Sequence, residues 1–227
     1  MADRKITAKI AADSPVLVIG LGRFGAATAD QLAKLKRDVL AVDEDMTLVQ
    51  EWAGKVTHAV QADARSIDAL RQLGAQDFAV AIVAVGSTIE ASVLITANLV
   101  DLGIPQIWAK AISRSHGTIL SRIGAHHVIY PEAEAGERVA HLLSGRMLDY
   151  IEFDDDFAIV KLHPPKPLIG ITLAAAEVRE KHGVAVLGVK APGSEFSYAT
   201  PATVVSEEDV IIASGNIADL EAFARLR

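Results

Sequence analysis

The sequence predicts an α/β protein with a doubly wound parallel sheet in its main domain and a small α+β module as its second domain. Three observations lead to this class. Short apolar segments alternate with helix-like segments as far as residue 130, a glycine-rich turn follows the first apolar segment, and strands of alternating polarity begin near residue 150. Repeated strand and helix alternation is typical of parallel sheets with right-handed crossovers, so the first domain is predicted to be Rossmann-like.

The predicted strands of the first domain are short, mostly apolar segments, as expected for strands that helices cover on both faces. They are the segments 16–19, 39–42, 57–61, 80–85, 107–110 and 127–130. Segments with helical periodicity fill the gaps between them, at 24–35, 46–53, 66–73, 90–101 and 115–123.

A proline and a long helix separate the two predicted domains. Pro131 ends the sixth strand, and a helix over 132–148 follows. One face of this helix is apolar and carries Ala135, Val139, Leu142 and Leu143. The predicted organisation is an N-terminal extension over 1–13, a Rossmann domain over 14–131, a crossover or hinge helix over 132–148 and an α+β domain over 149–227.

The α+β domain begins with the alternating segment 150–164, which predicts strand structure, and continues through a proline-rich loop over 164–170. A helix is predicted over 173–181, and a last helix runs to residue 226 with Asn216 as its cap. Further strands are predicted at 184–189, 202–205 and 209–213.

The glycine-rich turn is the strongest indication of a binding site. Gly20, Gly22 and Gly25 form G-x-G-x-x-G between the first strand and the first helix. The first glycine permits a tight turn, the second lets a phosphate approach the backbone, and the third allows the helix to lie close to the strand. Free N–H groups at the helix start then face an anion. The turn therefore predicts a nucleotide site.

Two charged residues next to the turn refine this prediction. Asp43 ends the second strand, 23 residues after Gly20, where a carboxylate can accept hydrogen bonds from both ribose hydroxyls. The same carboxylate would repel a 2′-phosphate, which disfavours NADP and leaves ATP, ADP, AMP or NAD. Arg23 lies inside the turn, where its guanidinium could bind a β- or γ-phosphate; the alternative is a solvated loop arginine.

The next strand ends supply further candidates, because ligands of open α/β sheets bind beyond the carboxyl ends of the strands. Asp63, Ala64 and Arg65 follow the third strand, where an adenine ring would lie. A second set is expected beside the phosphates: Val85, Gly86 and Ser87 after the fourth strand, and Lys110 at the end of the fifth.

Composition and the missing motifs exclude several classes. The chain has no cysteine, which excludes disulfides, thiolate zinc sites and cysteine nucleophiles. Its net charge of −7 disfavours nucleic acid and acidic membrane surfaces as partners. No P-loop, zincin or nucleophile-elbow motif occurs, and the seven histidines are scattered, which favours packing or surface roles. The run of Asp154, Asp155 and Asp156 could bind a cation but is more typical of a solvated turn.

Several of these motifs together resemble those of the RCK (regulator of conductance of K+) proteins. "VIGLGRFG", the Asp after the second strand, "ADARS", "AVG", "AKA" and "GAHHVIYPE" are followed by a crossover helix and an α+β module. The chain looks most similar to the TrkA/KtrA-type regulatory subunits of bacterial potassium uptake systems, over about residues 15–226. One departure is "QADARS", where relatives commonly have a G-D-A-T-type stretch.

The resemblance implies a subunit that binds ATP or ADP, and in many members NAD(H), without being an enzyme. Such subunits form homodimers that assemble into an octameric ring on the cytoplasmic face of a membrane-embedded K+ channel subunit of the TrkH/KtrB type. They do not bind nucleic acid.

Matched motif by motif, the resemblance also implies roles for individual residues. Asp43 would bind the ribose, and Glu132 matches an acidic position that in some relatives binds Mg2+ or another divalent cation. The remaining pocket residues would be Gly20, Gly22, Arg23, Phe24 and Gly25 at the phosphates, Asp63, Ala64 and Arg65 at the base, and Val85, Gly86 and Lys110 completing the site. The C-terminal module resembles RCK-C (TrkA-C) domains, some of which hold cyclic di-AMP, a ligand for which no specific motif is present here.

Two other classes share a Rossmann domain. An NAD-dependent oxidoreductase would need a catalytic acid or base, and none is identifiable. A redox-sensing transcription repressor would need a DNA-binding helix, and no basic recognition helix precedes Ser14.

Overall fold

The computed structural model describes residue 11 and residues 13–86, 88–144, 147–153 and 156–226. Ser87, Asp154, Asp155 and most of the predicted extension 1–13 lie outside the described residues. The chain divides into two compact units, with the division between Glu132 and Ala133. We call them the N-terminal and the C-terminal unit.

The N-terminal unit is built on a six-stranded parallel sheet with the strand order β3-β2-β1-β4-β5-β6. Its strands are β1 (Val16–Ile19), β2 (Val39–Asp43), β3 (His58–Gln61), β4 (Val80–Val83), β5 (Gln106–Lys110) and β6 (His127–Ile129). Its helices are α1 (Arg23–Lys34), α2 (Met46–Trp52), α3 (Ile67–Gln72), α4 (Ile89–Asp101) and α5 (Arg114–Ile123), and α6 (Pro131–Ser144) begins at its end.

The central strands β1, β2 and β4 are largely buried within the six-stranded parallel sheet, which confirms the predicted fold class. All four residues of β1 are buried. Side chains of alternate parity enter two separate cores: Leu17 and Ile19 lie in one, and Val16 and Val18 in the other. The strand order reverses direction at β1 and β4, and a crevice forms outside the carboxyl ends of the strands at such a switch point.

Helix starts in this unit differ in a way that bears on the site. Helices α2, α3, α4 and α5 each follow an N-cap residue whose side chain accepts a hydrogen bond from a backbone N–H of the first turn. These N-caps are Asp45, Ser66, Thr88 and Ser113. The N-cap of α1 is Gly22, which has no side chain to accept such a hydrogen bond. The first N–H groups of α1 are therefore free of a side-chain cap at the end that faces the crevice.

The C-terminal unit contains a five-stranded antiparallel sheet with the order β10-β9-β11-β8-β7. Its strands are β7 (Met147–Glu152), β8 (Phe157–Leu162), β9 (Ala185–Lys190), β10 (Ser197–Tyr198) and β11 (Val210–Asn216). Its helices after α6 are α7 (Leu173–Ala176), α8 (Val178–His182) and α9 (Ile217–Ala224). Val160, Leu162, Ile211 and Phe223 are central to its core.

Several predicted boundaries are wrong. The long helix α6 ends at Ser144, so Met147 and Leu148 belong to β7 and not to the helix predicted over 132–148. The helix predicted over 173–181 is broken at Glu177, which has a left-handed φ of 48°. The fourth strand of the parallel sheet ends at Val83, two residues earlier than predicted. The next residues, Ala84 and Val85, leave the strand and line the crevice at its carboxyl end.

Two further differences concern the edge of the C-terminal sheet. The segment 202–205 forms only isolated bridges, between Ile169 and Val205 and between Thr172 and Val204, where a strand was predicted. The short strand β10 was not predicted, because two residues are too few to show a period. Asn216 does precede the last helix, but its side chain makes no cap hydrogen bond.

None of the helices in the described part of the chain has the length and apolar character needed to cross a membrane.

Candidate nucleotide-binding site

A cleft of about 300 Å³ lies at the carboxyl edge of β1, β2, β3 and β4. Eight of the predicted site residues line it together: Gly20, Gly22, Asp43, Asp63, Ala64, Arg65, Val85 and Gly86. Residues that are distant in sequence thus meet in one crevice, as the parallel topology predicts.

The glycine turn is held very close to the neighbouring strand. Gly20 has a φ of 96°, a left-handed conformation that side chains rarely adopt. A Cβ on Gly25 would overlap the carbonyl oxygen of Gly20, so this glycine lets α1 lie against the turn. A Cβ on Gly22 would meet no atom within 4 Å, so Gly22 leaves open space where the cleft begins.

Asp43 joins the end of β2 to the glycine turn. Its Oδ2 accepts a hydrogen bond of 2.5 Å from the N–H of Leu21, and its Oδ1 accepts one of 2.9 Å from the N–H of Asp45. Each carboxylate oxygen has a second lone pair. Asp43 therefore fixes the turn, lines the cleft and keeps acceptor capacity on both oxygens.

Arg65 and two carboxylates form the wall of the cleft near β3. The Nε and Nη2 atoms of Arg65 donate to the two oxygens of Asp63 at 2.8 and 2.9 Å, and Nη2 lies 3.3 Å from Glu44 Oε2. The hydrogen bond from Arg65 lowers the pKa of Asp63, and the bond to Asp63 raises the pKa of Arg65. We call these three side chains the acid–arginine cluster.

The far end of the cleft carries a second ion pair. Lys110 is largely buried, and its Nζ lies 2.6 Å from Glu132 Oε1. The same Nζ is 3.5 Å from the position that a Cβ on Gly86 would occupy. The hydrogen bond from Lys110 lowers the pKa of Glu132, and the positive charge of Arg23 lowers it further. Lys110 thus lies beside Gly86, and Glu132 lies between the charges of Lys110 and Arg23.

Five predicted residues stand around the cleft without lining it. Arg23 and Phe24 form the first turn of α1, where Arg23 is exposed and Phe24 is half-buried. Gly25 lies beneath the turn, and Lys110 and Glu132 lie beyond Gly86.

Other parts of the lining were not predicted from the sequence. Glu44 and Thr88 contribute polar groups, and Leu48, Ala91 and Ile95 contribute an apolar surface. Glu44 follows Asp43 directly and Thr88 is the N-cap of α4, so strand-end position and cap chemistry could have indicated both. The apolar residues carry no such signal, because they look like ordinary core positions.

Other candidates form no site in the part of the chain that the structure describes. No group of three or more His, Asp or Glu side chains lies close enough together to hold a metal ion among those residues. His116 is buried, its Nδ1 accepts from the N–H of Ile112 at 3.3 Å, and its Nε2 has no hydrogen-bond partner among the residues that the structure describes. Burial lowers the pKa of His116.

A second cleft, of about 590 Å³, lies within the C-terminal unit. Glu177, Arg179, Glu180 and Thr200 are its polar members. Its volume is about twice that of the first cleft. Cyclic di-AMP as a ligand of this unit stays a prediction from the resemblance.

The switch-point cleft, the glycine turn and the uncapped start of α1 define a Rossmann-type protein of the nucleotide-binding class. Comparison with known proteins identifies the family. The model of the TrkA-N domain matches residues 16–131, and the model of the TrkA-C domain matches residues 157–227.

Two curated relatives come from Bacillus subtilis (strain 168). Ktr system potassium uptake protein C is 36% identical over 210 residues, which cover 92% of this chain and 95% of the relative. Ktr system potassium uptake protein A is 37% identical over 207 residues, covering 91% and 93%.

Solved structures agree on the fold. The structure of the GsuK channel bound to NAD has a TM-score of 0.65 and 18% identity, covering 95% of this chain and 40% of that chain. The GsuK RCK domain has a TM-score of 0.64, also at 18% identity, covering 95% and 49%. The chain belongs to the family of TrkA-N/TrkA-C (RCK) proteins that includes the Ktr potassium uptake proteins.

Proposed function

We propose that this protein is the nucleotide-binding regulatory subunit of a K+ uptake system and that it controls a membrane-embedded channel subunit of the TrkH/KtrB type. The observation that carries the proposal is the position of Lys110. Its ammonium group lies beside Gly86 at one end of the cleft and is bonded to Glu132. A terminal phosphate can compete for such a cation, which makes the site responsive to the number of phosphates.

The bound nucleotide is ATP or ADP, with its phosphates at Gly20, Gly22 and the free N–H groups of α1. Its ribose lies at Asp43, and its base lies at Asp63, Ala64 and Arg65. Val85 and Gly86 form the floor between these ends. NAD(H) is a further candidate ligand, and the NAD bound to the GsuK channel supports its inclusion.

ATP carries a γ-phosphate that can bind Arg23 and Lys110, and ADP lacks it. A ligand shifts a conformational equilibrium only through a difference in its affinity for the two states. The γ-phosphate supplies that difference by drawing Lys110 away from Glu132, which stands at the second position of α6. Because α6 leads into the C-terminal unit, this exchange gives the nucleotide a route to the rest of the chain.

The assembly on the channel is a dimer of this chain, and four such dimers form an octameric ring at the cytoplasmic face of the membrane. Support comes from α6, where Val139 is 52% and Leu143 is 83% exposed on one apolar stripe. Shifting a two-state assembly from 1:99 to 99:1 takes about 5.5 kcal/mol, or roughly 0.7 kcal/mol from each of eight sites. A small preference for ATP at each site is therefore enough.

A divalent cation such as Mg2+ does not fit Glu132 alone. One carboxylate that is already paired with Lys110 provides too few ligands, since Mg2+ prefers six oxygen ligands. The phosphates of the nucleotide and a second copy of the chain would have to supply the others. We propose no step through the cation.

The role is regulatory and not enzymatic, and nucleic acid is not a partner. The function of the chain then rests on discrimination between nucleotides. Calorimetric titration of Arg23→Ala with ATP and ADP tests this discrimination.

The expected result for Arg23→Ala is a smaller ratio of ATP to ADP affinity than in the wild type, because the variant has no guanidinium to form hydrogen bonds with the γ-phosphate. Arg71→Ala is the matched control. Arg71 is an exposed arginine on α3, it pairs with Asp68 at 3.3 Å, and it does not line the cleft. An unchanged ratio in Arg23→Ala would remove Arg23 from the mechanism.

A further inference from the structure

The guanidinium group of Arg65 is held as a flat surface at the wall of the cleft. Two of its nitrogen atoms donate to the two oxygens of Asp63, at 2.8 and 2.9 Å, which is the paired geometry that makes guanidinium and carboxylate coplanar. Arg65 also lines the cleft. The plane is therefore available to a ligand and does not rotate freely.

The charge of Arg65 is largely cancelled where it stands. Asp63 accepts two hydrogen bonds from it, and Glu44 Oε2 lies 3.3 Å from its Nη2. Two carboxylates around one guanidinium leave no net positive field to attract phosphate. Arg65 thus differs from Arg23, which lies in the first turn of α1 beside the glycine turn.

The position of the acid–arginine cluster also separates it from the phosphate end. Asp63 and Arg65 follow β3, Glu44 follows β2, and the glycine turn follows β1, with β2 lying between β1 and β3 in the sheet. Neighbouring strands lie about 4.8 Å apart, which places the two ends of the cleft about 10 Å from each other. A nucleotide with its phosphates at the glycine turn would have its base near Arg65.

The loop that carries Arg65 is fixed before any ligand arrives. The N–H of Arg65 donates to Asp63 Oδ1 at 2.9 Å, and the N–H of Ser66 donates to the carbonyl of Asp63 at 3.1 Å. From α4, the amide of Asn98 donates to the carbonyl of Arg65 at 2.8 Å. A base that binds here meets a preorganised surface and loses little ordering entropy.

We propose that Arg65 is the stacking residue for the base of the bound nucleotide, with Asp63 and Glu44 holding its plane in place. The inference rests on the proposed nucleotide site and specifies how that site holds the base. Guanidinium planes stack on nucleobases through their flat face. Leu48, Ala91 and Ile95 supply apolar lining in the same cleft. Base stacking also assigns a role to Arg65, the arginine of the "QADARS" segment.

The test compares Arg65→Lys, which keeps the charge and loses the plane, with Arg65→Thr, which loses both. Affinities for AMP, ADP and ATP are measured by calorimetry, and the urea midpoint of each variant is recorded to confirm folding. Arg71→Thr is the control, because Arg71 also pairs with an aspartate, Asp68 at 3.3 Å, but does not line the cleft.

The expected result is that both Arg65 variants bind all three nucleotides about tenfold more weakly, on the scale of one lost stacking partner. The factor should be the same for AMP, ADP and ATP, and Arg71→Thr should bind like the wild type. Wild-type affinity in Arg65→Lys, or a loss that grows from AMP to ATP, would overturn the stacking role alone. A wild-type chain that binds none of the three would overturn the proposed nucleotide site, and the stacking role with it.

Discussion

The two sheets of this chain bury their side chains differently. In the parallel sheet of the N-terminal unit, every residue of β1 is buried, because helices and neighbouring elements cover both faces. In the antiparallel sheet of the C-terminal unit, β8 alternates between buried residues and residues with partial or full exposure. Ile151 and Leu187, on β7 and β9, remain 55% and 42% exposed.

The parallel sheet carries the candidate nucleotide site at one edge, whereas the antiparallel sheet leaves apolar residues exposed on its face. A parallel sheet brings all its carboxyl ends to one edge, so the loops that carry Gly20, Asp43, Asp63 and Gly86 meet there. An antiparallel sheet distributes its loops over both ends and offers no such edge. Substitutions around the proposed nucleotide site of the N-terminal unit are therefore expected to have the largest effects on nucleotide binding.

The largest effect is expected at the glycine turn. In Gly25→Ala, the new methyl group would overlap the carbonyl oxygen of Gly20, so α1 must move away from the turn. We expect a loss of more than about 4 kcal/mol in the free energy of unfolding and no measurable nucleotide binding. Urea denaturation and calorimetry measure the two effects.

Gly22→Ala is the matched control, because a methyl group there meets no atom within 4 Å. Its stability should fall by less than about 1 kcal/mol, the cost of alanine at a helix N-cap. Equal destabilisation by the two alanines would contradict the close packing of α1 on the turn.

A tenfold to hundredfold effect is expected at Asp43. Asp43→Asn keeps the shape of the side chain but loses the charge that strengthens its hydrogen bonds to ribose hydroxyls. Such bonds contribute roughly 1.5 to 3 kcal/mol, so ATP and ADP should bind about ten- to a hundredfold more weakly.

The control for Asp43→Asn is Asp45→Asn, because Asp45 caps α2 through the N–H of Thr47 and asparagine caps equally well. Asp45→Asn should bind nucleotide like the wild type. Unchanged affinity in Asp43→Asn would place the ribose elsewhere.

The smallest effect is expected in the pH dependence of stability at His116. Burial lowers its pKa below the ordinary value, so the fold favours the neutral ring. The stability that this provides is complete above about pH 6.5, the unfolded pKa, and is lost as the pH falls below it. Protonation of Nδ1 would also break the bond from the N–H of Ile112.

His116→Gln removes the titrating ring and keeps a hydrogen-bond acceptor. Its urea midpoint should fall less steeply than that of the wild type between about pH 7 and pH 5. His58→Gln is the control, since His58 is exposed. Parallel profiles for wild type and His116→Gln would show that the fold does not favour the neutral ring.

The sequence was informative where backbone geometry demands particular residues. The glycines of the turn and the carboxylate after β2 are recognisable because few other residues satisfy those positions. The apolar wall of Leu48, Ala91 and Ile95 was missed, since its composition does not differ from that of a core. The pairing of Arg65 with Asp63 and Glu44 also depends on side-chain positions that spacing does not reveal.

Errors were concentrated in the C-terminal unit for a related reason. Its elements are short, and tertiary contacts set their limits. Glu177 interrupts a helical pattern with a left-handed residue, and β7 begins with Met147 and Leu148, two apolar residues that also fit a helix. Periodicity over so few residues cannot distinguish a helix end from a strand start.

The central claim is that the chain binds nucleotides as regulatory ligands and does not use them as substrates. The most direct measurement is a calorimetric titration of the wild-type chain with ATP, ADP and NADH, with and without Mg2+, combined with light scattering of each sample. We predict tight ATP and ADP binding, with unequal affinities, on a particle of eight chains. Binding of NADH alone on a dimer or tetramer, with turnover of a substrate, would contradict the claim and favour an oxidoreductase.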